Sequence, residues 1–172
     1  MLLDVTWRRK ESWSQLVDKV VSQVEFEIGQ IDHLFESYTD LLRRVQKEAP
    51  DLVEVTAAAS VLHSFYNGLE NIFLSISKGV DREVPAGDHW HRDLLTRMAE
   101  ATLNREQVLA AGTAHQLADY LGFRHFYRHS YSFFLDWDEL VGLVAPLLEI
   151  WAQTKQDVLR FLDGLSKPLE GR

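Results

Sequence analysis

Cysteine does not occur anywhere in this 172-residue sequence. Its absence excludes disulfides, thiolate nucleophiles and cysteine-ligated zinc, and makes a reducing cytoplasm the expected setting. No apolar run approaches the roughly 20 residues that cross a bilayer as a helix, so no membrane partner is expected. The opening Met1-Leu2-Leu3-Asp4-Val5-Thr6-Trp7-Arg8-Arg9-Lys10 places its charges after its apolar residues, and no long apolar stretch follows. That is not the layout of a signal peptide. Strand-like alternation persists nowhere, and neither an internal repeat nor a low-complexity tract is present. A Gly-rich phosphate loop, an H-E-x-x-H zinc pattern and a nucleophilic serine constellation are missing too.

What remains is ordinary for a soluble globular chain: 46 % hydrophobic and 26 % charged residues, in a length that suits one domain with a substantial core. The formal charge of −8 argues against broad, non-specific binding of nucleic acid over the whole surface. It leaves room for a local basic cleft built from Arg124, His125, Arg128 and His129, with Arg92 and Arg97 as candidate helpers. Solubility is the plainer reading of the acidic remainder.

Helical periodicity dominates. A first segment from about Ser12 to Glu48 carries Trp13, Leu16, Val17, Val20, Val24, Ile28, Ile31, Phe35, Tyr38, Leu42 and Val45 in steps of three and four, one continuous stripe. Ser12 and Gln15 have capping-box spacing, and Pro50 ends the segment. A second helix starts after Asp51, with Glu54 three residues on, and stops near Gly79. Residues 81–87 read as a loop, and a shorter helix follows over about 89–101. A fourth segment opens at Thr113, with Gln116 completing a capping box, and runs to about Ser132. The last begins at Asp136 with Glu139 at its third position; Pro146 kinks it or marks a late start, and Gly164 and Pro168 close it. The expected architecture is an all-α, up-and-down bundle of four main helices plus a short inserted helix. It spans residues 12–165, between an N-terminal extension (1–11) and a C-terminal tail (166–172).

The chemistry is concentrated in Arg124-His125-Phe126-Tyr127-Arg128-His129-Ser130-Tyr131, which holds the spacing R-x4-H-x-Y in Arg124, His129 and Tyr131. Arginine stays charged and grips phosphate with a planar fork. Histidine moves protons near neutral pH, and tyrosine stacks or donates a hydrogen bond. On an ideal helix Arg124, Arg128 and Tyr131 share a side with Leu117, Tyr120 and Tyr127, whereas His129 lies roughly 140° away from Arg124. Arg and His therefore meet only if the helix distorts near its end or a second copy completes the cleft. An arginine on a packing stripe must be paired or face a cleft, because a bare buried charge is expensive. The competing structural reading has Arg124 in an internal salt bridge, Tyr131 in the core and His129 as an ordinary surface residue. Asn67 and Glu70 are placed to contact the motif from the second helix, although bundle-surface solvation is the plainer role for at least one of them. His125/His129 and His89/His91 have close spacings, but no carboxylate-rich partner set accompanies them, so they read as surface histidines rather than metal ligands. Phe126, Phe133, Phe134 and Trp137 could stack on RNA bases; core or dimer packing is the default.

The motif, its flanks Phe123 to Tyr131, and the segment from Phe65-Tyr66-Asn67-Gly68-Leu69-Glu70 to Trp90-His91-Arg92-Asp93-Leu94-Leu95 resemble HEPN-type ribonucleases, and more narrowly the HepT-like toxins of toxin–antitoxin pairs. The resemblance runs from about Leu52 to Leu143. It implies a helical bundle, a homodimer whose two motifs line one site, and a metal-independent endoribonuclease toxin of a type VII-like toxin–antitoxin system that needs no cofactor. Arg124, His129 and Tyr131 would be catalytic, and Arg128 and His125 would bind RNA phosphate. The family pairing further implies a small nucleotidyltransferase antitoxin that transfers AMP to Tyr131. The alternative is a non-catalytic helical module that binds a nucleotide or such a nucleotidyltransferase.

Overall fold

Ser12 starts the first helix as its spacing predicts. In the computed structural model, which describes residues 12–131 and 134–166, Gln15 N–H donates to Ser12 Oγ at 3.3 Å and Ser12 N–H to Gln15 Oε1 at 3.0 Å. This reciprocal pair satisfies two otherwise orphaned backbone donors. Helix α1 (Trp13–Ser37) buries Val17, Val20, Val24, Ile28, Ile31 and Phe35, the expected stripe. It does not continue to Glu48. The Ser37 and Thr39 hydroxyls donate back to the carbonyls of His33 and Phe35, both at 2.8 Å. Such back-bonding competes with the backbone ladder and bends helices. The chain breaks at Tyr38 and resumes as α2 (Thr39–Arg44). Leu42 and Val45 remain buried beyond the break, which is why periodicity alone did not reveal it.

The same capping box, Asp51 with Glu54, opens α3 (Leu52–Ile76), and Arg44 of α2 pairs with Glu54. Helix α3 is the central element, packing on α1 and on most of the later helices. Its contact with α1, and that of the turn that follows it, depend on one glycine each. A Cβ at Gly68 would lie 2.8 Å from Ile31 Cγ1, and one at Gly79 would lie 2.2 Å from Val20 Cγ2. Gly79 is therefore not the expected helix stop. The chain winds through it in a π-helical turn, Ser77–Asp81, and leaves at Arg82 in the left-handed region with φ 56°.

After the predicted loop comes α4 (Trp90–Met98). The return path is clamped by Arg105, which grips buried Asp81 through Nε (2.8 Å) and Nη2 (2.9 Å) and donates to the carbonyls of Arg97, Glu100 and Glu106. Helix α5 (Ala111–His129) begins two residues before Thr113, without the predicted local box. Its cap comes from far along the chain. Ala110 N–H and Thr113 Oγ both donate to Oδ2 of the fully buried Asp157, at 2.9 and 2.7 Å. Asp136 caps α6 (Trp137–Val144) through Asp138 N–H rather than through Glu139. Pro146 separates this helix from α7 (Leu147–Ser166), which runs through Gly164. Pro168, the 1–11 extension and residues 167–172 lie outside the described residues.

Helices α1, α3, α5 and α7 form the bundle, with α2, α4 and α6 as three short additions rather than one insert. The described residues contain no strand. Phe65 sits at the centre, its ring 5.5 Å from those of Phe35 and Tyr120 and 6.1 Å from Trp151. Each such fully buried apolar side chain contributes roughly 1.5–3 kcal/mol. Tyr120 keeps its hydroxyl satisfied by donating to the Leu143 carbonyl at 2.7 Å.

Candidate functional site

Polar residues at positions 63, 67 and 70 of α3 interrupt an otherwise apolar face, and that spacing sets them one above another on the side turned to α5. Arg124 of α5 meets them. Its Nε donates to Asn67 Oδ1 at 2.9 Å and its Nη2 to Glu70 Oε1 at 3.1 Å. Arg124 is only 8 % exposed and Glu70 only 7 %. Two buried charges at this depth hold only as a pair with further hydrogen bonds, which is the arrangement present. The third guanidinium nitrogen, Nη1, bonds to none of the described residues.

The second oxygen of Glu70 is also occupied. His91, carried by α4, places Nδ1 2.5 Å from Glu70 Oε2, and its ring stacks on Trp90 at 3.6 Å between centroids. His91 is thus a partner of the cluster and not the surface histidine its spacing suggested. At the other end, Asn67 Nδ2 lies 3.3 Å from His63 Nδ1, and the His63 ring packs 4.8 Å from that of Tyr127. The His63 imidazole is pushed below the usual histidine range, first by burial and then by the charges of Arg124 and Arg128. Burial, reinforced by Glu70, also holds the Tyr66 phenol well above its usual range.

The remaining motif residues stand outside this buried chain. His125, Arg128 and His129 are exposed on the last turns of α5, and Tyr131 is 71 % exposed just beyond it. Tyr131 is therefore not in the core. Arg128 and His129 also suit a helix C-terminus, where cations meet the negative end of the dipole. The His125 and His129 rings lie 5.0 Å apart, and the described residues contain no group of three metal-ligating side chains. Helix α5 stays α-helical through His129, so no distortion swings His129 towards Arg124. Arg97 is engaged by Asp81 and Glu83 and contributes nothing to this end; Arg92 is exposed. Phe126 (42 %) and Phe134 (61 %) are exposed rather than core, Trp137 packs partly on the core, and Phe133 lies outside the described residues.

Asn67 and Glu70 both contact the motif arginine, so neither is simply a solvated surface residue. Sequence reasoning missed His63 and His91. A local signal existed for His63, one turn before Asn67 on the same face; for His91 there was none, since its partner lies 21 positions away.

The all-helical bundle is HEPN-like, and R-x4-H-x-Y runs through the last turns of its third long helix to just beyond its end. The family described as HepT-like protein matches residues 57–165, more than half of the sequence. The chain belongs to the HepT-like family. The match takes in His63, Asn67, Glu70, His91 and all of α5 but leaves out α1 and α2. No curated protein matches the chain, and no solved structure does. Among the described residues, no helix is long and apolar enough to cross a membrane.

Proposed function

We propose that this protein is a metal-independent endoribonuclease toxin acting through Arg124, His129 and Tyr131 at a cleft shared by two copies. The observation that carries the reading is the division of labour on α5. Arg124 is pinned through Nε and Nη2, while His125, Arg128, His129 and Tyr131 are exposed at the same end of the helix. A fixed guanidinium is preorganised for charge that develops on a phosphorane. Because Arg124 faces α3 and His129 faces outward, one chain does not converge the two groups, and a second copy supplies the missing histidine. Exposed Phe126 and Phe134 give that surface an apolar component.

In the reaction, the ribose 2′-oxygen attacks the adjacent phosphorus and the bond to the 5′-oxygen breaks, leaving a 2′,3′-cyclic phosphate. DNA lacks the attacking hydroxyl. His129 takes the 2′-proton or returns one to the departing 5′-oxygen. Arg124 neutralises the equatorial oxygens, Tyr131 orients the phosphate, and Arg128 and His125 hold the flanking backbone. The cognate antitoxin is a small nucleotidyltransferase that transfers AMP from a nucleoside triphosphate to the Tyr131 hydroxyl, with pyrophosphate leaving, and so adds bulk and negative charge where RNA must bind.

The test is RNA cleavage by purified protein in the presence of chelator. Wild type cuts, and His129→Ala loses at least about 100-fold in rate with its helical circular dichroism unchanged. Equal rates would remove His129 from the mechanism. A second reading, a non-catalytic module that binds a nucleotide or nucleotidyltransferase partner, is favoured by the neutralisation of Arg124 by Glu70. It predicts nucleotide binding with no cleavage by either protein.

A further inference from the structure

We propose that His91 is a second catalytic histidine, the general base that takes the proton of the ribose 2′-hydroxyl, which leaves His129 as the acid at the departing 5′-oxygen; the assignment rests on the nuclease reading. Cleavage by that route moves two protons, one off the 2′-oxygen and one onto the 5′-oxygen. The motif carries a single histidine, and Arg124 cannot be the other proton carrier because a guanidinium keeps its protons. One carboxylate separates His91 from Arg124: Nδ1 of the histidine lies 2.5 Å from Glu70 Oε2, and Arg124 Nη2 lies 3.1 Å from Glu70 Oε1. The path of α4 brings it there. The Met98 carbonyl at the end of α4 accepts from the N–H groups of Val108 and Leu109, at 2.8 and 2.9 Å, just ahead of α5. The first turn of α4 instead reaches the carboxylate that holds Arg124, so the helix runs antiparallel to α5 and carries His91 to the end where His129 and Tyr131 lie.

The hydrogen bonds set its tautomer. Glu70 is ion-paired with Arg124, and a carboxylate only accepts. The proton of a neutral His91 therefore sits on Nδ1, and Nε2 carries a bare lone pair. Nε2 bonds to none of the described residues, and 25 % of the side chain is exposed. The Trp90 ring stacks on the imidazole with 28° between their planes, so the base is held along one edge and across one face. When Nε2 takes the 2′-proton, the Nδ1–H still donates to Glu70, which stabilises the new imidazolium as the aspartate of a serine-protease triad does. The 2′-oxygen electron pair forms the bond to phosphorus. The pair of the breaking P–O bond departs on the 5′-oxygen, which takes a proton from the imidazolium of His129. Exchange with solvent then returns both histidines to their starting states.

The experiment compares full-length wild type, His91→Asn and His129→Ala on an oligoribonucleotide that wild type cuts, with chelator present. His91→Asn keeps an amide N–H where Nδ1 donates to Glu70 and removes Nε2. It is expected to lose at least about 100-fold in rate, the lower end of what acid–base catalysis contributes. Its helical circular dichroism stays as in wild type, as does its affinity for the same oligonucleotide blocked by a 2′-deoxy nucleotide at the cleaved linkage. Sulfur in place of the departing 5′-oxygen leaves as a thiolate that needs no proton. On that substrate His129→Ala recovers towards wild type, and His91→Asn stays slow. Recovery of His91→Asn on the sulfur substrate, a loss confined to affinity, or cleavage of ordinary RNA at the wild-type rate each overturns the proposal. Should His91→Asn fail to fold, His91→Gln, whose amide reaches farther, goes through the same comparison. NMR of the imidazole nitrogens, recorded where histidine is neutral, is expected to find the His91 proton on Nδ1, and a proton on Nε2 also overturns the proposal. Wild type that cuts no RNA sinks the nuclease reading and this assignment with it; wild type that cuts no faster than His91→Asn removes His91 alone.

Discussion

Glu70 holds Arg124 from the neighbouring helix at 3.1 Å and does so with one oxygen only, the other being taken by His91. A single carboxylate thus ties α3 to both α4 and α5. It is also the acceptor that makes a buried arginine tolerable on a packing face.

Replacing Glu70 by alanine strands two partners at once. Loss of one member of a buried pair destabilises by about 3–5 kcal/mol, and Glu70→Ala is expected to fall in that range by chemical denaturation. Glu70→Gln, which keeps the shape and one acceptor, falls below it. An alanine variant within about 0.5 kcal/mol of wild type, the scale of a surface substitution, would mean that the ion pair is dispensable.

His63 gives stability a pH dependence whose sign is fixed. Its folded-state affinity for a proton is below the ordinary value of 6.5, so the unfolded chain binds that proton more readily. Stability attributable to this site is complete above pH 6.5 and declines as pH falls through 6.5 towards the lowered folded-state midpoint. Denaturation curves for wild type and His63→Gln should therefore diverge in relative stability as the solution is acidified, with wild type losing more. Parallel curves across that window would rule the effect out.

Gly79→Ala pushes a methyl into Val20, 2.2 Å from Cγ2. Overpacking of this kind typically destabilises by about 1–3 kcal/mol. Trimming the obstacle in the double variant Gly79→Ala, Val20→Ala should recover part of the loss beyond what additivity allows, and a thermodynamic cycle measures the coupling. Strict additivity would show that α1 can simply move aside.

Tyr131→Phe removes the hydroxyl that would accept AMP and keeps the ring of a residue that is 71 % exposed. Coexpression with a nucleotidyltransferase antitoxin should add the mass of AMP to wild type and not to the variant. A modified Tyr131→Phe protein would place the transfer elsewhere.

The sequence was most legible where partners sit within one turn of each other. The Ser12–Gln15 and Asp51–Glu54 caps and the buried stripe from Val17 to Phe35 are all local patterns, and all were present. It was least legible where partners are remote. The start of α5 is set by Asp157, 44 positions beyond Thr113, so a plausible local box at Thr113 and Gln116 misled. The break at Tyr38 depends on how two hydroxyls turn, not on hydropathy. At the site, Arg124 stood out because arginine is out of place on a packing face, whereas the histidines at either end of its partner chain look ordinary until the helices are side by side.

Helix α5 is fastened at its base by Asp157 of α7 and, in its last third, by Asn67 and Glu70 of α3. Beyond that second fixing Tyr127 still rests on the His63 ring of α3, so only the turn carrying Arg128 and His129 overhangs. Substitutions on that overhang touch neither fixing, so the residues that face outward at the tip are separate from those that mount the helix.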